Sequence, residues 1–328
     1  PGSTLGGMVS ANVCGPNRMD MGGLRDFLIG IEYINGTGER VHAGGKVVKN
    51  VTGYDLDKLY TGSLGTLGVI VEATFKLSPI QMDRGAVAAG FPSLREGIIA
   101  GAGLLQQVFA PQAIQIVDGQ VVRRLSGNGS LAPEFLRNIG AGSALALAFF
   151  SGRPRAVKRR MEESTRLLSD SGGTEVADLD EVTGHSLLKG LTDLGWSEDT
   201  RPYLGIKVTV PPSSMAGIVS GYHRQDAPLG SPPGVVADPG FGSVRLLWWA
   251  EPDRDLIEDS RVLETIERTR KQAREVGGSA VVEHCPLALK KQIDVWGELP
   301  QGLEIMRRIK QEFDPLGILS PGRFVGRI

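Results

Sequence analysis

Cysteine is nearly absent from this chain: there are 2 in 328 residues, Cys14 and Cys285, far apart and without a Cys-x-x-Cys partner. That excludes a disulfide framework and a thiolate or iron–sulfur site, and leaves two reduced thiols as the plain reading. An excess of charge is missing too, since 36 Lys and Arg stand against 37 Asp and Glu, a net charge of -1. So balanced a chain offers no electrostatic reason to bind nucleic acid or an anionic membrane. No apolar run approaches the roughly 20 residues of a membrane helix, and no signal peptide opens the chain. An initiator methionine is also lacking and residue 1 falls inside a motif, so the sequence reads as a piece of a longer chain. The expected location is cytoplasmic.

Glycine is what the chain has in plenty: 45 residues, above the usual share of about 7%. Two glycine stretches frame the first 79 residues, Thr4-Leu5-Gly6-Gly7-Met8 and Gly65-Thr66-Leu67-Gly68-Val69-Ile70. Without a Cβ, the backbone approaches a ligand closely, and successive N–H groups in such turns form concavities for a phosphate or pyrophosphate. Both stretches are expected to be turns.

Between them, Arg25–Asn35 reads as a strand, Asn35-Gly36 as a hairpin turn and Glu39–Gly45 as the returning strand. Asp55 is placed as the N-cap of a short helix through Tyr60, and Val69–Leu77 as a strand stopped by Pro79. From residue 80 to 285 strands and helices alternate. Strands are expected at 86–90, 113–117, 144–150, 174–177, 205–210, 243–250 and 279–283, and helices at 93–107, 154–169 and 258–276. The stretch Asp226–Gly242 reads as a long surface loop. Repeated β-α-β units with hairpin-like links predict a ferredoxin-like antiparallel sheet carrying helices on one face. Residues 286–328 form a last segment, an amphipathic helix from about Gln301 followed by a Pro/Gly turn that returns to the first domain.

Four blocks in order carry a resemblance: Thr4–Met8; Gly22 with Arg25-Asp26 and Gly30; Gly44-Gly45 with Lys49-Asn50-Val51-Thr52-Gly53-Tyr54-Asp55-Leu56; and Gly62-Ser63-Leu64-Gly65-Thr66-Leu67-Gly68-Val69. Together they resemble the second half of the PCMH-type FAD-binding domain of the vanillyl-alcohol-oxidase flavoprotein superfamily. Within it, the C-terminal run Asp294-Val295-Trp296-Gly297 … Pro321-Gly322-Arg323-Phe324 is similar to the FAD-binding E subunits of bacterial glycolate oxidases. The resemblance implies an α+β fold: the second subdomain of a PCMH-type domain (1–79), a ferredoxin-like cap (80–285) and the returning segment (286–328). It implies FAD as cofactor and a small 2-hydroxy acid as substrate, which loses its hydroxyl proton to a base and its α-hydride to the flavin. It also implies an iron–sulfur subunit and a second flavin subunit as partners, with peripheral attachment at the inner membrane through them as the alternative location. Alternatives are a non-catalytic structural or electron-relay subunit, or a related FAD-dependent alcohol oxidoreductase. The family's N-terminal FAD subdomain is expected to be missing from this stretch.

Carried over residue by residue, Thr4, Gly6, Gly7, Asn12 and Gly15 match the turn near the pyrophosphate. Gly53 and Tyr54 match the middle block, and Gly65, Thr66, Gly68, Val69 and Ile70 the turn that meets the cofactor again. Tyr54 and Asp55 equally suit a plain turn and helix cap. Ser320 stands where the family has Asn before Pro-Gly, and Met21 where an aromatic is usual, which puts ring contacts there in doubt. His284, beside Glu283 after the last cap strand, is a candidate general base; an ordinary hydrogen-bonded histidine is the alternative. Arg245 is a candidate carboxylate clamp or a simple sheet arginine. Trp248 and Trp249 point to opposite faces, so at most one reaches a pocket. His42, His185, His223 and His284 are not paired at ligand spacing, so no metal is expected.

Overall fold

The computed structural model describes residues 3–47, 53–127, 143–222, 229, 231–249 and 259–328, the side chain of Asp199 excepted. The Lys49–Thr52 part of the Asn-Val-Thr-Gly-Tyr-Asp block, His223 and residues 250–258 lie outside the described residues. The chain forms two compact units, Pro1–Ile80 with Glu298–Ile328, and Gln81–Gly297.

In the first unit, β1 (Leu28–Ile34), β2 (Arg40–Gly44) and β3 (Val69–Phe75) make an antiparallel sheet in the order β2-β1-β3. Its core joins Val9, Leu28, Ile31, Tyr33, Tyr60 and Leu67, with Ile309 and Phe313 of the C-terminal helix Leu303–Phe313 packed against them. The Asn35 side chain closes the β1–β2 hairpin by accepting from the N–H groups of Thr37 and Glu39. The left-handed residue of that turn is Gly38 (φ +87°), not Asn35 or Gly36. Gly36 is needed for another reason: a Cβ there would stand 2.6 Å from Asp314 Cα.

Two expectations are corrected in this unit. The first glycine stretch is no turn but the helix Leu5–Ala11. Thr4, extended at φ -87° and ψ 153°, accepts the Gly7 N–H and so starts a helix despite the two glycines. Gly6 in turn lets that helix sit on the sheet, since a Cβ would lie 3.0 Å from the Ile70 carbonyl oxygen. Asp55 precedes the helix Leu56–Tyr60, but its side chain makes no capping hydrogen bond.

The second unit carries β4 (Asp83–Phe91), β5 (Ala113–Asp118), β6 (Ala144–Gly152), β7 (Thr174–Leu179), β8 (Leu204–Thr209), β9 (Gly234–Asp238), β10 (Ser243–Trp248) and β11 (Ser279–His284). Among the described residues these form one antiparallel sheet in the order β11-β8-β10-β9-β5-β6-β4-β7. The order decomposes into two ferredoxin-like β-α-β-β-α-β motifs side by side, β4 to β7 and β8 to β11, joined where β5 meets β9.

The four helices inside those motifs share one face and bury its main core: Leu94–Leu105, Pro154–Asp170, Met215–Ser220 and Asp259–Glu275. The other face is not bare, as helices on one face alone would leave it. Gly119–Gly127 and Glu181–Asp193 cover it through Val121, Val122, Leu125, Leu187 and Leu191. The expected loop 226–242 contains β9, whose buried Val235, Val236 and Ala237 complete both cores. Residues 286–297 also stay with this unit, because Val282 donates to the Val295 carbonyl at 2.8 Å and Leu289 is buried in its core.

Candidate functional site

In the first unit the two glycine stretches converge. Gly6 abuts Ile70, Gly62 abuts Asn12, and a Cβ on Gly65 would meet Ser320 Oγ at 3.1 Å. Left-handed backbone gathers in these loops at Asn12 (φ 50°), Gly62 (φ 85°), Leu64 (φ 54°), Gly65 (φ 75°) and Ser320 (φ 42°). For a leucine this conformation is a genuine outlier. Such strain persists only where the surroundings over-determine it, and it clusters at functional sites. Here the Leu64 N–H donates to the Ser10 carbonyl at 2.8 Å and the Gly62 N–H to the Val9 carbonyl at 3.0 Å. Ser63 Oγ is buried among these loops with no hydrogen-bond partner.

The candidate residues divide accordingly. Thr4 and Gly7 serve the helix cap. Gly6, Asn12, Gly65 and Ile70 shape the convergence. Thr66 is buried and faces inward, its hydroxyl donating to the Ser63 carbonyl at 2.7 Å. Gly68 makes room for Tyr60 at the start of β3, while Val69 is exposed. Gly15 and Gly53 have open space around them, and Tyr54 is 90% exposed, so these three join no cluster. Ser63 and Leu64 belong to the motif without standing out in it. A serine and a leucine between glycines give no sign of their burial or left-handed backbone.

In the second unit, β10, β8 and β11 present a charged surface opposite the main core. A bulge between Val282 and His284 leaves Glu283 without a partner of its own on β8 and sets His284 opposite Gly205. The imidazole lies over Gly205, where a Cβ would come within 3.0 Å of His284 Cδ2. Trp196 packs on that ring edge-on, with centroids 4.9 Å apart and planes at 61°. His284 Nε2 is buried and has no hydrogen-bond partner. Burial holds the imidazole below its ordinary pKa. Glu283 opposes that, but Arg245, Arg201 and Lys290 add to it, so His284 is neutral near pH 7.

Arg245 stands beside this histidine but is already engaged. Its Nε lies 3.4 Å from Glu283 Oε2, and its Nη2 donates to the Leu194 carbonyl at 2.9 Å. A bidentate grip on a substrate carboxylate therefore requires breaking one of these contacts. Arg201 and Lys290, which act electrostatically on His284, are exposed and better placed to meet an anion. Of the tryptophan pair, Trp248 is in the main core against Tyr222, whereas Trp249 donates to the Thr200 carbonyl at 2.7 Å beneath the Arg124 guanidinium. Among the described residues no group of three or more His, Cys, Asp or Glu could hold a metal ion.

The chain is 27% identical over 335 residues to glycolate oxidase subunit GlcD of Bacillus subtilis, covering 99% of this chain and 68% of that one. Against a D-lactate dehydrogenase of Archaeoglobus fulgidus the figures are 27%, 99% and 70%. Glycolate oxidase subunit GlcE of Escherichia coli is 47% identical, but over 77 residues only, 24% of this chain and 22% of that protein. The E-subunit likeness is thus confined to a short stretch, while the likeness to GlcD runs the length of the chain. Among solved structures, a VAO-type flavoprotein of Myceliophthora thermophila C1 matches with a TM-score of 0.62 at 16% identity, over 96% of this chain. The chain spans 59% of that structure's length. The match to an FAD linked oxidase family indicates FAD as the cofactor. The model of the family described as FAD linked oxidases, C-terminal domain, matches residues 81–324, and this chain belongs to that family.

Proposed function

We propose that this chain acts as a flavin-bearing oxidoreductase subunit on small 2-hydroxy acids, in an assembly of the glycolate oxidase type. The observation that carries the proposal is the buried, unpartnered Nε2 of a neutral His284, on which the exposed Arg201 and Lys290 act electrostatically. A neutral imidazole is a base near pH 7, and an orphaned buried nitrogen lacks the partner that a substrate hydroxyl supplies. In this reading Nε2 takes the hydroxyl proton, and Arg201 and Lys290 attract the carboxylate. Arg245 holds Glu283, keeping that carboxylate from competing for the site.

FAD fits the first unit: left-handed backbone gathers in the loops around Asn12, Leu64, Gly65 and Ser320, and the Ser63 hydroxyl is buried among them without a partner. When bound, FAD supplies the acceptor for the hydride leaving the substrate's α-carbon. The 47% identity to GlcE over 77 residues supports an E-like place among the subunits, beside an iron–sulfur subunit and a second flavin subunit. Co-purification with those two subunits is the expected outcome for the assembly, on the cytoplasmic side of the inner membrane.

The catalytic part is tested by mixing the FAD-loaded chain anaerobically with glycolate or D-lactate and following flavin absorbance. Bleaching is expected, slowed by about 10²–10⁴-fold in His284→Gln. Unchanged bleaching in the variant removes the base role and favours a subunit that only relays electrons. No bleaching of the wild type with either acid, nor with a 2-hydroxy acid carrying a phenyl substituent, overturns the hydroxy-acid reading.

A further inference from the structure

The loop between the helix Glu181–Asp193 and β8 is built with more care than a connection needs. Gly195 turns it in the left-handed conformation (φ 85°), and the Gly195 N–H donates to Thr200 Oγ1 at 3.0 Å. The Leu194 carbonyl accepts from Arg245, and the Thr200 carbonyl from the Trp249 indole. Three hydrogen bonds thus pin one short loop, two of them from β10 and the residue after it, and what the loop presents is Trp196. That indole is 55% exposed, yet one edge is spent on His284 beside the unpartnered Nε2. A pinned tryptophan with half its surface uncovered gains by covering that surface with an apolar group.

The geometry points to Trp196 as the residue that selects the substrate's side chain, favouring 2-hydroxy acids with an aromatic or bulky apolar substituent over glycolate. The inference rests on the hydroxy-acid reading of the same site. An acid held by its carboxylate at Arg201 and Lys290, with its hydroxyl on Nε2, has its 2-substituent next to His284. There the exposed indole is the large apolar surface at hand. Glycolate carries only hydrogen at that place and leaves the ring wet. Trp196 packs on the imidazole whose burial lowers its pKa.

Two acids without an α-hydrogen test this in the FAD-loaded chain without turnover: 2-hydroxy-2-phenylpropanoate and 2-hydroxy-2-methylpropanoate. Binding is read by calorimetry and by the His284 ring signals, one of four histidines in the chain. The phenyl acid is expected to bind at least about tenfold tighter than the methyl acid, within the range that one apolar contact provides. Trp196→Ala should reduce that preference to about twofold or less and raise the His284 pKa, while Trp196→Phe retains most of both. The His185 signals report whether each variant is folded. Equal binding of the two acids to the wild type, or an equal loss for both in Trp196→Ala, overturns the inference and leaves the hydroxy-acid reading standing. If neither acid binds nor shifts His284, the hydroxy-acid reading falls and this inference with it.

Discussion

Burial lowers the pKa of His284 and raises that of Asp118 for one reason: each charged form loses its water. For His284 the folded value lies below the unfolded one, so its contribution to stability is present above about pH 6.5. That contribution is lost as pH falls through the folded pKa. The same group predicts an activity limb that rises with pH and has its midpoint below about 6.5. A pH profile of flavin bleaching checks this, and a midpoint above that value removes His284 as the base. Asp118 is pushed up to about 6 by burial, against the Val121 N–H that it accepts at 3.0 Å. Its folded value exceeds the unfolded one, so stability declines as pH rises from about 4 to about 6, by roughly 3 kcal/mol in all. Asp118→Asn keeps an oxygen for the Val121 N–H and should abolish that decline, as read from urea midpoints at pH 4 and 7.

At the scale of elements, the C-terminal turn shows what a sequence pattern leaves out. Prolines and glycines predict a rigid turn, but its anchor is Lys310, whose Nζ reaches the Thr66 carbonyl at 2.8 Å, the Leu319 carbonyl at 2.7 Å and Asp314 Oδ2 at 2.5 Å. Burial raises the Asp314 pKa, but Lys310 and the N–H groups of Leu319 and Ile318 outweigh it and hold the carboxyl below its ordinary range. Lys310→Met leaves that buried carboxylate unpaired and is expected to cost about 3–5 kcal/mol. Hydrogen exchange at residues 62–66 should speed up alongside the lower denaturation midpoint. Gly36→Ala forces the end of the helix Leu303–Phe313 away from the β1–β2 hairpin, at a cost of about 1–3 kcal/mol in the same assay. Helix and strand periods were legible where one face is buried, as in Asp259–Glu275. They were illegible in β9, whose five residues lie between Pro- and Gly-rich neighbours and are buried on both faces.

At the scale of the whole molecule, the core of the first unit shares no residue with the two cores on either side of the eight-stranded sheet. Calorimetry of the full chain should therefore resolve two transitions. The FAD loops all belong to the first unit, so FAD should raise one transition and leave the other in place. At a hundredfold excess over Kd the shift corresponds to about 2.7 kcal/mol. A rise of both, or of neither, contradicts the assignment of the flavin loops to this unit alone.

The sequence by itself determined the α+β class, the repeated β-α-β texture of the second unit and the glycine blocks that resemble a flavin domain. These follow from local chemistry: side-chain period, turn residues and the absence of a Cβ. Only the tertiary structure decided that Thr4 turns a glycine run into a helix and that Arg245 is tied to Glu283 and Leu194. It alone brought Trp196 onto His284, across 88 positions of chain. Such pairings depend on strand register and on one bulge, and a bulge is set by neighbouring strands that no local window of sequence contains.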